Sequence, residues 1–90
     1  MLRAFWERFP DSEPALKAWF SETEKARWAG PQDIKSRYPS ASFVGSHRVV
    51  FNIRGNNYRL VVHVRYDIGF VYVRFVGTHE EYDEVDVATV

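Results

Sequence analysis

The sequence predicts an α+β fold, with two to three N-terminal helices packed on one face of a three-stranded antiparallel sheet. Three observations carry this. Apolar residues recur at helical spacing up to about residue 38, the period changes to two near residue 48, and glycine-containing turn stretches divide the later part into three strand-length runs. Ninety residues enclose a single hydrophobic core, so 1–90 is expected to be one domain. The apolar share of 46% and the aromatic share of 17% exclude disorder and point to a core built on large rings.

In the first helix, residues 1–9, Leu2, Phe5, Trp6 and Phe9 fall on one side and Arg3, Glu7 and Arg8 on the other, and Pro10 stops it. A second helix restarts at "DSEP". There Asp11 or Ser12 is expected to cap the free amides, and Pro14 sits in a first turn that loses little by its missing N–H. Leu16, Trp19, Phe20 and Thr23 form its expected buried stripe, and "WAGPQ" ends it by about Trp28. Residues 32–38 make a short further helix closed by Pro39, and "PSASFVGS" reads as an irregular connection.

The strands follow. Val49, Phe51 and Ile53 alternate with Arg48, Val50, Asn52 and Arg54. Tyr58, Leu60, Val62 and Val64 alternate with Arg59, Val61, His63 and Arg65. Val71, Val73 and Phe75 alternate with Tyr72, Arg74 and Val76. A two-residue turn at Gly55 and Asn56 sets Ile53 against Tyr58 and Asn52 against Arg59, keeping the apolar rows on one side. A second two-residue turn, at Ile68 and Gly69, would set His63 against Arg74. The remaining face then gathers Asn52, Arg54, Arg59, His63, Tyr72 and Arg74.

Formal net charge is zero, but it is unevenly spread. Between residues 47 and 76 five arginines stand against Asp67 alone, a net of +4, whereas from Gly77 onward Glu80, Glu81, Asp83, Glu84 and Asp86 have no basic counterpart. Arginine suits forked hydrogen bonding to phosphate. The chain has no cysteine, which removes disulfides and thiolate metal sites and fits a reducing cytosol. "MLRAFWERFP" has charges within its apolar spacing, unlike a signal peptide or membrane span, so a cytoplasmic protein without membrane partners is expected.

An arginine-rich sheet face with His and Tyr supplies what RNA cleavage without a metal needs: guanidinium groups to hold the phosphate and its developing charge, and a side chain that moves a proton near neutrality. The same residues also suit a merely soluble strand face with cross-strand pairing. His47, His63 and His79 match no metal-ligand spacing, so neither metal nor cofactor is expected. Five acids near the chain's end resemble paired hydrolytic carboxylates less than a solvated surface.

"VVFNIRGNNYRLVVHV", "VYVRFVGTHEEYD" and "LRAFWERFPDSEPALKAWF" together resemble the HigB branch of the RelE-type toxins, ribosome-associated mRNA interferases of bacterial toxin–antitoxin pairs. The resemblance covers nearly the whole chain and is most specific at "NIRGNNYRL" and "GTHEEYD". It implies metal-independent cutting of mRNA in the ribosomal decoding site by attack of the ribose 2′-hydroxyl on the adjacent phosphate. It implies that Arg59 and Arg74 clamp that phosphate and that His79 and Tyr82 form the proton-transfer and positioning pair. Asn52, Arg54 and Asn56 would guide RNA or the ribosome, and Asp83 would orient His79 or Arg74 beside the RNA. The implied partner is a HigA-type helix-turn-helix antitoxin. Family members open with a short strand, whereas this chain opens within the helix motif. The first edge strand is therefore expected to be missing, leaving an edge open to a partner or a second copy. The acidic segment would oppose RNA unless it points away. Two other readings stay open: a non-catalytic module binding RNA or an acidic protein, and a toxin-fold relative acting on another target.

Overall fold

In the computed structural model, which describes residues 1–45 and 47–90, α1 (Leu2–Arg8) gives way at Pro10 to a single 3-10 turn over Pro10–Ser12, which runs directly into α2 (Glu13–Lys25). Neither expected cap forms. Because the 3-10 turn is continuous with the helix, the Ser12 amide bonds to the Phe9 carbonyl, and the buried Ser12 hydroxyl donates to the same oxygen at 2.7 Å. Asp11 is diverted to Tyr58 and Arg54. The buried stripe of α2 is narrower than the spacing suggests. Leu16 and Trp19 are buried, but Phe20 is 50% exposed, lying beside the groove between α2 and the Gly69–Phe70 turn rather than under the sheet. α3 (Pro31–Arg37) begins with proline at its first position.

Four strands follow, β1 (Ser42–Val44), β2 (Arg48–Ile53), β3 (Tyr58–Arg65) and β4 (Phe70–Thr78), antiparallel and in the order β1-β2-β3-β4. The α+β class holds, with one strand more than expected. The segment read as irregular contributes edge strand β1, pairing Phe43 with Val49; three residues are too few to show a period of two. A short α4 (His79–Asp83) closes the described elements.

The core lies between the helices and one sheet face. Val49, Phe51, Ile53, Tyr58, Leu60, Val62 and Val64 are all at most 6% exposed, as the alternation predicts. Phe51 sits at its centre, with the rings of Tyr38, Trp19 and Trp28 at 5.0, 5.5 and 6.4 Å. A second group, Phe5, Phe9 and Tyr58, anchors α1 against the end of the β2–β3 hairpin.

The β2–β3 register is the expected one, Ile53 against Tyr58 and Asn52 against Arg59, with the Asn57 amide bonded to the Arg54 carbonyl. The β3–β4 register is not. A two-residue turn at Ile68 and Gly69 would force the β-branched Ile68 to positive φ. Residues 66–69 instead form a four-residue loop in which Gly69 alone is left-handed, at φ 72°, and His63 faces Tyr72 rather than Arg74. A bulge then leaves Arg74 as the extra residue, since Val62 pairs with Val73 but Val61 with Phe75. Two successive side chains thus fall on the polar face. Beyond the bulge Val76, not Phe75, packs on the core, and Phe75 joins the arginine side opposite Val61.

Candidate active site

α4 is positioned by a capping box. The Thr78 hydroxyl accepts from the Glu81 amide at 3.1 Å, and the Glu81 carboxylate accepts from the Thr78 amide at 2.9 Å. That bond to the Thr78 amide, aided by Arg8 at 3.3 Å, holds the Glu81 carboxyl below the usual range. The helix start is also tied to the β2–β3 turn, because the His79 amide donates to the Asn57 carbonyl at 3.3 Å. One turn of helix therefore carries His79 and Tyr82 to the end of the sheet where β2 and β3 meet.

There the predicted residues converge. The Arg59 guanidinium lies 5.8 Å from the centre of the Tyr82 ring and is braced by the Asn56 and Tyr58 carbonyls at 3.0 and 3.2 Å. Asn52 lies across the ladder from Arg59. His79 Nδ1 meets the Asp83 carboxylate at 3.2 Å, a contact that fixes the ring and leaves Nε2 for other chemistry. Asp83 thus adjoins His79, not Arg74. Both side chains are open to solvent, at 50% and 59% exposure.

Two predicted residues stand apart. Arg54 takes φ 53° and its guanidinium pairs with Asp11 at 3.3 Å, tying the hairpin to the segment after α1. Arg74, on the bulge, lies three residues before Gly77, the partner of Arg59, or about 10 Å along β4. It shares the polar face but sits nearer His63, and its Nε donates to the main-chain oxygen of the last residue, Val90, at 3.4 Å.

The terminal segment crosses this face. Besides the Val90 contact, the Ala88 carbonyl accepts from Arg48 at 3.0 Å, and Val50 and Val61 are buried although they point away from the main core. Asp86 caps its own turn through the Ala88 amide. The segment presents main-chain oxygens to Arg48 and Arg74. Among the described residues Arg48 and Arg59 have no side-chain carboxylate partner, while Arg74 bonds to the main-chain oxygen of the last residue, Val90.

Sequence reasoning missed Thr78, although the Thr78-x-x-Glu81 spacing is the sequence signature of a capping box. It also missed Phe75, whose ring lies so close over Gly77 that a Cβ there would stand 2.5 Å from it. His47 and His63, weighed above as metal ligands, do come together at 5.3 Å, but His79 is on α4. No group of three potential metal ligands occurs among the described residues, and no described helix is long and apolar enough to cross a membrane.

A family model, HigB_toxin, described as the RelE-like toxic component of a toxin–antitoxin system, matches residues 12–85. The mRNA interferase toxin HigB of Escherichia coli strain K12 is 32% identical over 80 residues, spanning 86% of this chain and 76% of that protein. The mRNA interferase HigB proteins of Escherichia coli O157:H7 and Shigella flexneri match over the same shares at the same identity. Helices on one face of an antiparallel sheet, closed by a "THEEYD" segment that sets the Tyr82 ring beside Arg59, accord with these matches: the chain belongs to the HigB family of RelE-like toxins.

Proposed function

We propose that the protein is an endoribonuclease that cuts mRNA on the ribosome, without a metal, as the toxin of a toxin–antitoxin pair. The observation that carries this is the grouping of Arg59 over Tyr82 with the His79–Asp83 pair on the adjoining helix. In the reaction the ribose 2′-oxygen forms a bond to phosphorus as the bond to the 5′-oxygen breaks, leaving a 2′,3′-cyclic phosphate. The 2′-hydroxyl loses a proton and the departing 5′-oxygen gains one. His79 is the proton carrier, oriented by Asp83. Arg59 holds the phosphate and offsets the charge that grows on its oxygens, Arg74, set about 10 Å along β4, meets the RNA backbone to one side of it, and Tyr82 positions the nucleotide beside the Arg59 guanidinium. Asn52 and Asn56 line the approach, while Arg54, held by Asp11, supports the hairpin.

Residues 1–90 act as one toxin domain in the cytoplasm, where ribosomes are. Family membership carries with it an antitoxin, which we take to be a helix-turn-helix protein of HigA type. The outer edge of β4 is the natural place for a strand from a partner or a second copy. The test is mapped mRNA breakage in a translation extract, with and without ribosomes. Wild type cuts only with ribosomes present, and His79→Ala or Arg59→Ala abolishes the breaks. Cutting by both variants at the wild-type rate would overturn the site, and salt-sensitive RNA binding without cutting would overturn the nuclease reading.

A further inference from the structure

At the far end of the polar face from α4, four rings stand in a row across the sheet. His47 and His63 are 5.3 Å apart, His63 and Tyr72 6.3 Å, and Tyr72 and Phe70 6.1 Å. The β3–β4 register creates the row, since the four-residue loop sets Tyr72 opposite His63 and Phe70 opposite Arg65. Cross-strand pairing would account for rings that cover one another, but Tyr72 remains 46% and Phe70 55% exposed. Exposed aromatics grouped in this way mark a surface that something else covers.

Charge narrows the occupant. Arg48 and Arg74 flank the row and bond to the Ala88 and Val90 main-chain oxygens, whereas Arg65 is held by Asp67 at 3.0 Å. Three arginines, Arg48, Arg65 and Arg74, thus act on His63 at the centre of the row, against the one nearby side-chain carboxylate, Asp67. A groove of about 500 Å³ beside the rings is lined by His47, His63, Arg65, Tyr66 and Asp67, a size that suits a small planar group. Burial, and then the charges of His47, Arg48, Arg74 and Arg65, hold His63 below the usual imidazole range. Near neutrality it is therefore an uncharged flat ring, suited to stacking rather than to proton transfer. Aromatic faces interleaved with arginine are how proteins hold unpaired bases, because every base has a face to stack and every nucleotide a phosphate.

We propose that the His47–His63–Tyr72–Phe70 row is a second RNA subsite, stacking bases of single-stranded RNA to one side of the phosphate held at Arg59. From Arg59 to His63 is four residues along β3, about 13 Å, and the terminal segment crosses the face at Arg48 and Arg74, so an RNA strand held at both ends runs over that segment. The proposal rests on the RNA-directed reading above for its choice of ligand, and it requires no chemistry at the row.

The test is fluorescence anisotropy of a labelled octauridylate RNA against the full chain carrying His79→Ala, which keeps the probe intact. Tyr72→Leu weakens binding by roughly tenfold, Tyr72→Trp retains it, and duplex RNA of the same length competes poorly. Unchanged affinity in Tyr72→Leu, or equal loss in the Leu and Trp variants, would overturn the proposal. So would Tyr72→Leu releasing the antitoxin while leaving RNA affinity intact, which would make the row a protein-docking surface. Because these are binding measurements, they decide the subsite even if wild type proves unable to cut mRNA.

Discussion

Replacing Thr78 by alanine separates the placing of α4 from the folding of the domain. α4 has five residues, too few to hold helical form alone, and its start is fixed by the reciprocal Thr78–Glu81 bonds at 3.1 and 2.9 Å. Loss of the hydroxyl removes the bond to the Glu81 amide. The typical effect of losing such a cap is about 1 kcal/mol, which raises the ratio of open to closed α4 roughly fivefold. The backbone of Thr78 stays paired with Tyr58 at the end of the sheet, so β4 is not undone. Amide hydrogen exchange across Glu81 and Tyr82 should accelerate about fivefold while β3 amides and the urea midpoint barely move. mRNA cutting should fall by up to about the same factor, because His79 and Tyr82 ride on the opened turn. Thr78→Ser, which keeps the oxygen, should restore both. Unchanged exchange in α4, or a serine variant as impaired as the alanine one, would refute the view that this cap positions the site.

Other expectations follow from the core, the bulge and the titrating groups. Phe51→Ala, which removes the ring contacted by Trp19, Trp28 and Tyr38, should lose about 3–5 kcal/mol. That is a large part of the roughly 5–13 kcal/mol typical of a chain this size, and urea unfolding followed by tryptophan fluorescence would measure it. Gly77→Ala places a Cβ 2.5 Å from the Phe75 ring and 3.0 Å from Glu81 Oε1 and should cost about 1–3 kcal/mol. Combined with Phe75→Ala, its cost should shrink, a coupling that a double-mutant cycle on urea midpoints reads directly. Since Glu81 is held below its unfolded value of about 4.3, chiefly by the Thr78 amide, its contribution to stability is present above that pH. It disappears as pH falls through the lower folded value. The stability gap between wild type and Glu81→Gln should accordingly be constant from pH 7 to about 5 and close in acid, as urea titrations at each pH would record.

Periodicity alone determined the order of the main helices and strands, the inward row from Val49 to Val64, the Ile53–Tyr58 register and the placing of Arg59 opposite Asn52, because each depends on neighbours a few residues apart or on one tight turn. Motif likeness directed attention to His79, Tyr82 and Asp83. Tertiary structure decided the rest. The pairing of Ser42–Val44 with β2 needs a partner strand to exist, and the backbone limits of Ile68 and Gly69 choose the loop that puts Tyr72 beside His63. The bulge at Arg74 reverses which of Phe75 and Val76 faces the core, a change of one residue that alternation along a single strand cannot register, since the extra residue is defined only against Val61 and Val62 on the neighbouring strand. The ring row exists for the same reason: Phe70 and Tyr72 share β4, but His47, His63 and Tyr72 meet only through cross-strand pairing and a loop contact.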